Sequence, residues 1–329
     1  MSRVNFYMLM SLVVVLVILL SLKSGAVPLT WGQMLTALMG EGDFATQVIV
    51  HELRVPRLLL AFLIGGGLGM SGAALQGLLR NPLADPGILG VSAASGLGGV
   101  IAVYYGLAGM FAFALPLMAI FFGALATLVL VFMAARETSV LTLILAGVAI
   151  SSIAGAFTSL AMSMAPTPIS MQEMILWMLG SLENRSMTDV YLAAPFIVLG
   201  MGMMLTTTRS LTALALGEDT ATTMGINVVR TRNLIVFGTA ACVGAGVAVA
   251  GMIGFVGLIV PHMVRPFFGY DPGRSLWPSA LLGGLILLIA DIIARQPLMQ
   301  AELRIGVITA MIGAPAFLYI IYKTRGAMR

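Results

Sequence analysis

Asp291 is the clearest carboxylate set within a long apolar run, near the end of the stretch 276–294. An acid at membrane depth is by default a candidate for proton transfer. Arg295 stands four residues on, and an i, i+4 ion pair at the membrane edge accounts for both residues without any chemistry. The ion pair is the favoured expectation. Other reactive groups are sparse. Neither lysine, Lys23 nor Lys323, follows a glycine, so the chain has no Walker A phosphate loop. The histidines, His51 and His262, lie far apart, and the one cysteine, Cys242, sits in an apolar run. That excludes an internal disulfide and a cysteine-based metal site. An intramembrane enzyme would need a paired catalytic constellation, and none is visible. If the chain serves ATP-driven work, ATP and Mg must be bound by a separate ATPase, and no cofactor is expected in the chain itself.

The elements that hold these groups are apolar runs. The chain has 329 residues, 60% of them hydrophobic and 9% charged, against roughly 25% charged in soluble domains. The mean hydropathy is +1.05. The runs are continuous rather than alternating, which predicts an all-α polytopic membrane protein and not a barrel. Ten spans are expected, at 5–22, 58–78, 88–108, 110–134, 140–164, 188–207, 233–251, 255–266, 276–294 and 305–323, in a single transmembrane domain covering residues 1–329. The run Met171 to Leu182 is too short to cross and is expected to be re-entrant or interfacial. Asn5 to Leu22 is read as a retained helix. A cleaved signal peptide is the competing reading, with Ser24-Gly25-Ala26 as a weak cleavage site.

Of the 17 Lys and Arg residues, Lys23, Arg54, Arg57, Arg185, Arg295 and Arg304 fall on one side and the rest on the side of the N-terminus. The positive-inside rule makes both termini cytoplasmic. The basic balance therefore belongs to span ends and is no sign of nucleic acid. Glycines crowd the second and seventh spans, among them Gly65, Gly66, Gly67, Gly69 and Gly72, at spacings that let helix backbones approach closely. These two spans run in opposite directions into polar, proline-containing stretches, which hints at an inverted repeat. One such stretch, "RNPLADPG" from Arg80 to Gly87, should form a fixed corner. The long polar loop 209–233 holds Leu214, Leu216, Ala221 and Met224 in an amphipathic pattern. A short helix should start after Gly217, with Glu218 and Asp219 at its positive end, and stop at Gly225. It lacks a basic polar face, so a protein partner is favoured over lipid.

Four stretches carry a family resemblance. "LRVPRLLLAFLIGGGLGMSGAALQGLLRNPLADPGILGVS" closely resembles the second and third helices of FecCD-type permeases, the membrane subunits of ABC importers for vitamin B12, ferric siderophores and haem. "LALGEDTATTMGI", "AGMIGFVGLIVPHMVR" and "ADIIARQPLMQAELRIGVITAMIGAPAFLYII" resemble its coupling loop, eighth-helix signature and last two helices. The resemblance implies a type II ABC importer permease in a bacterial inner membrane. It implies a homodimer with two ABC ATPase subunits and a periplasmic or lipid-anchored substrate-binding protein. It places ATPase coupling on Leu214 to Gly225 and binding-protein docking on Arg54, Arg57 and Arg295. The translocation path falls along the fifth span and the short helix after it, through Ser139, Val140, Leu141, Thr142, Ser151, Thr158, Met162 and Met174. Some relatives carry Ser-Thr-Ser before the fifth helix where this chain reads Ser139-Val140-Leu141, which tells against a polar inner-gate contact at Val140 and Leu141, and a hydrophobic constriction is the alternative. Arg185 could meet an anionic cargo, the binding protein or solvent. The cargo expected is a metal chelate, a ferric siderophore or haem first and a corrinoid as the alternative. A proton-coupled secondary transporter is the rival class, and it would need acids deep in the spans.

Overall fold

The computed structural model describes residues 3–25, 27–111, 113–136, 140–296 and 302–324. The chain is a bundle of helices: α1 (Arg3–Lys23), α2 (Trp31–Leu38), α3 (Phe44–Val48), α4 (Val55–Leu78), α5 (Val91–Tyr104), α6 (Leu107–Met110), α7 (Ala114–Arg136), α8 (Val140–Ser163), α9 (Pro168–Met178), α10 (Met187–Leu205), α11 (Thr208–Leu214), α12 (Glu218–Thr223), α13 (Val228–Ala250), α14 (Val256–Val264), α15 (Leu276–Ala294) and α16 (Ile305–Thr324). No strand occurs among the described residues. A π-helical turn, Ile49–Arg54, joins α3 to α4.

Helices lie at all ten expected spans, but they differ in length. Seven are long and apolar enough to cross a membrane, while Val91–Tyr104 and Ile305–Tyr319 are shorter apolar pieces. The eighth expected span is reduced to the 9 residues of α14. Local breakers explain the short ones. Before α5 the chain makes a 3₁₀ turn at Pro86–Leu89 and passes Gly90 at φ 74°. Before α14 it passes Gly251 at φ 71° and Phe255 at φ 68°. These left-handed conformations stop a helix.

Burial separates a centre from a rim. In α4, α13 and α15, 83%, 78% and 67% of the apolar window is buried, against 17% in α1 and 28% in α8. Lipid is as apolar as leucine, so the central helices cannot be gathered by hydrophobicity alone and must approach closely. Gly65 of α4 and Gly283 of α15 lie backbone to backbone, and a Cβ on either would overlap the other's carbonyl oxygen.

The polar stretch after α4 is a corner fixed from within. The Asn81 side chain accepts from Leu83 N at 2.9 Å and the Asp85 side chain accepts from Gly87 N at 2.8 Å. Arg80 takes φ 48°, in the left-handed region. Burial raises the pKa of Asp85 above the usual carboxylate range, and the Gly87 N–H opposes the shift.

Candidate functional site: two ends of one bundle

At the end of the bundle formed by the start of α4 and the end of α15, four charges are shut inside. Arg54, Arg57, Asp291 and Arg295 are 4%, 8%, 0% and 6% exposed. Arg57 Nε donates to Asp291 Oδ1 at 2.7 Å, and Arg57 Nη2 lies 2.8 Å from Glu302 Oε2. Arg295 Nη2 stands 2.6 Å from Asp291 Oδ2 and donates to Ser21 Oγ at 2.7 Å, while its Nη1 donates to Ser21 O and Ser24 O, each at 3.2 Å. Arg54 donates to Leu22 O and Val27 O, and to Lys23 O at 2.9 Å. The carbonyls at the end of α1 have no intrahelical partners, so two guanidinium groups cap them where the helix dipole is negative.

The three arginines expected to reach outward for a binding protein are therefore turned inward in this structure. Their donors are taken by α1, Asp291 and Glu302. The expected i, i+4 pair of Asp291 and Arg295 is present, and Arg57 joins it from 234 positions away along the chain. Asp291 is thus held between two guanidinium groups, an arrangement that fits a structural counter-ion better than a proton relay. Beside it a cavity of about 200 Å³ is lined by Ser24, Arg54, Arg57, Glu183, Arg185 and Glu302, among others. Arg304 pairs with Glu183 at 3.1 Å, and Arg185 makes a looser contact with Asp189 at 3.7 Å. Arg185 Nε is buried without a hydrogen-bond partner. Glu302, Glu183 and Ser21 were missed from sequence. Only the alternation of charge in Glu302-Leu303-Arg304 signals any of them.

At the opposite end, α11 and α12 form the expected short helical segment. Gly217, at φ 117°, turns the chain between them, Glu218 and Asp219 open α12, and Gly225, at φ 82°, follows it. Leu214 and Ala221 are buried at 3% and 0% exposure, whereas Leu216 and Met224 stand out at 67% and 59%. Thr212 Oγ1 donates to Asp271 Oδ1 at 2.7 Å and holds α11 on the turn before α15. Glu218 lies 4.0 Å from Arg80 of the corner.

On α8, Leu141, Leu145, Val148, Ile153, Phe157 and Leu160 face outward. Leu143, Ala146, Ala154 and Thr158 are buried on the other side, where the helix packs on α5 and the 86–89 turn. Thr142, Ser151 and Met162 are half-buried. Two residues expected along a path are packing residues instead: Thr158 is 6% exposed and Met174, on α9, is fully buried. Ser139 and the side chain of Val140 lie outside the described residues.

The model of the FecCD transport family matches residues 12–323. This chain belongs to the FecCD transport family. It is 39% identical to the Fe(3+) dicitrate transport system permease protein FecD of Escherichia coli K12, over 93% of this chain and 95% of that protein. It is 38% identical to the vitamin B12 import system permease protein BtuC of Salmonella paratyphi A, over 98% of this chain and 96% of that protein. A solved inward-facing structure assigned to the metal-chelate type of ABC transporter superposes with a TM-score of 0.87 at 32% identity, covering 97% of this chain and 99% of the other.

Proposed function

We infer that this chain is the membrane-spanning permease of an ATP-driven importer for a metal chelate, acting as a homodimer in the bacterial inner membrane. The observation that carries this is the α11–α12 segment. Its inner residues Leu214 and Ala221 anchor it, and Leu216 and Met224 present apolar side chains on an otherwise polar loop. Such residues fit the groove of a partner subunit, here the ATPase, with both termini on the same cytoplasmic side. Hydrolysis of ATP belongs to that partner.

The outward face of α8 supplies the dimer axis and the wall of the path. It is apolar, with hydroxyls at Thr142, Ser151 and Ser152, and a weak-binding wall lets cargo leave as well as enter. The Asp291 end of the bundle receives the substrate-binding protein. A carboxylate from that protein reaches Arg57 most easily by exchanging with Glu302, whose side chain is 32% exposed, while Asp291 stays in place. Ferric chelate and corrinoid cargoes are supported equally, since one relative bears the name of ferric dicitrate transport and another that of vitamin B12 import.

The test is ATP hydrolysis and uptake in liposomes with the ATPase, with and without the binding protein, across ferric dicitrate, ferric siderophores, haem and cobalamin. Uptake of one cargo that needs ATP and the binding protein is the expected result. Uptake driven by a proton gradient with no ATPase would overturn the assignment.

A further inference from the structure

Gln76 is 2% exposed, a polar side chain inside the bundle one turn from the end of α4. Its amide is used at both ends. Nε2 donates to Ala84 O of the corner at 3.1 Å and to Leu258 O of α14 at 3.2 Å, and Oε1 accepts from Arg265 Nη2 at 2.7 Å. His262 of α14 adds a second tie to the corner, with its Nε2 2.8 Å from Pro82 O. One side chain thus joins the end of α4 and the corner that follows it to α14 and Arg265, 182 and 189 positions further along the chain. A buried amide left unpaired is costly, so the three segments are held to move together.

Each side of this junction meets another element. At Gly77, next to Gln76, an added Cβ would lie 3.1 Å from Leu211 Cδ2 of α11 and 2.8 Å from Pro272 Cβ, so α11 and the 271–273 turn sit directly on α4. On the far side of the corner, Ile88 O and Gly90 press against Gly147 and Ile150 of α8, and a Cβ on Gly147 would overlap Ile88 O. The packed contacts run without a break from α11, through the end of α4 and the corner, to the path-lining helix. Side chains packed this closely transmit displacement rather than absorb it.

We propose that Gln76 is a positioning residue that makes the end of α4, the 79–90 corner and α14 one rigid body, and that this body carries displacement of α11–α12 to α8. The proposal rests on the importer function inferred above. It assigns a task to the polar corner, which would otherwise only turn the chain.

The test uses the permease assembled with its ATPase and binding protein in liposomes. Spin labels are placed at Leu12 on α1 and at Ser163, the last residue of α8, both exposed and neither among the residues named on the outward face of α8. Cys242 is buried and does not compete for label. The unsubstituted complex is expected to shift its α1–α8 distance when ATP hydrolysis is trapped. Gln76→Leu keeps the volume and removes all of the side chain's hydrogen bonds, a longer one to Gly257 O at 3.5 Å included. It is expected to retain ATP hydrolysis, lose the distance shift, and lower uptake of ferric dicitrate or cobalamin per ATP by about tenfold, the effect of one or two lost buried hydrogen bonds. If Gln76→Leu fails to fold, Gln76→Glu keeps the acceptor for Arg265 and removes only the donors to Ala84 and Leu258. The same uncoupling is expected from it. A full distance shift in either folded variant refutes the role of Gln76. An unsubstituted complex that takes up cargo with ATP while its labels stay still refutes the proposal alone, and one whose uptake needs no ATP refutes the importer function on which it rests.

Discussion

Replacing Asp291 by alanine should expose what the buried charge cluster is for. Asp291 is 0% exposed and sits 2.7 Å from Arg57 Nε and 2.6 Å from Arg295 Nη2. Breaking a buried ion pair by removing one partner costs about 3–5 kcal/mol, because the other charge stays buried without compensation. Here two cations lose that partner, but neither is left bare. Arg57 keeps Glu302 at 2.8 Å, and Arg295 keeps Ser21 Oγ at 2.7 Å. The expected loss is therefore at the lower end, about 3 kcal/mol. Asp291→Asn keeps the shape and one acceptor and should lose about 1.5–3 kcal/mol, the range for hydrogen bonds to charged groups. Asp291→Leu combined with Arg295→Met removes both charges and should recover part of the loss, since a neutral packed pair is often no worse than a buried ion pair. The assay is reversible unfolding of the purified permease in mixed micelles, with uptake per folded molecule measured alongside. Asp291→Ala within about 0.5 kcal/mol of the parent, the spread of ordinary surface substitutions, would refute the counter-ion role. A stable Asp291→Asn protein that loses uptake together with its dependence on a proton gradient would restore the relay.

Leu216→Glu and Met224→Glu should change stability by less than about 0.5 kcal/mol, since both side chains are exposed at 67% and 59%. Each should weaken co-purification with the ATPase, and normal assembly of the pair would remove α11–α12 as the coupling surface. Gly283→Leu should prevent folding outright, because a Cβ there already overlaps Gly65 O; recovery of folded, dimeric protein by size-exclusion chromatography would contradict that packing. Asp85→Asn concerns pH. The folded-state pKa of Asp85 is raised above 3.8 by burial, so its contribution to stability is present below about pH 4 and is lost as pH rises through the raised value. The Asn variant should match the parent at pH 4 and be at least as stable at pH 7, and a variant less stable only at pH 7 would show the charge to be compensated.

What could be read from the sequence was local. The apolar runs marked where helices lie, and Gly217, Glu218 and Gly225 marked the bounds of α12 because breaker, dipole and stop act within a single turn. The pair Asp291–Arg295 was visible for the same reason, as an i, i+4 spacing on one helix. The inward turn of Arg54 and Arg57 was not visible. It depends on the carbonyls at the end of α1 and on an acid 234 positions away, and only the folded bundle brings these together. Thr158 and Met174 failed as path residues for a related reason. A uniformly apolar helix carries no periodic signal, so the choice between the face packed on α5 and the outward face is made by the neighbouring helices.

Arginine rather than lysine at these positions follows from what the guanidinium must do. Arg295 serves a carboxylate, a hydroxyl and the carbonyls of Ser21 and Ser24 at once. A rigid fork of five donors reaches all of them, and a compact ammonium does not. The same multiplicity makes these residues poor free hooks for a partner, because drawing one outward would strand several acceptors of α1 in a buried site. Glu302 is the member of the cluster with access to water, and Arg57 is the cation it shares with Asp291. Exchange of Glu302 for a partner's carboxylate conserves charge and leaves Asp291, Arg295 and the cap of α1 undisturbed. A partner that docked at Arg57, as proposed, would need one acid to replace another, rather than the opening of the cluster.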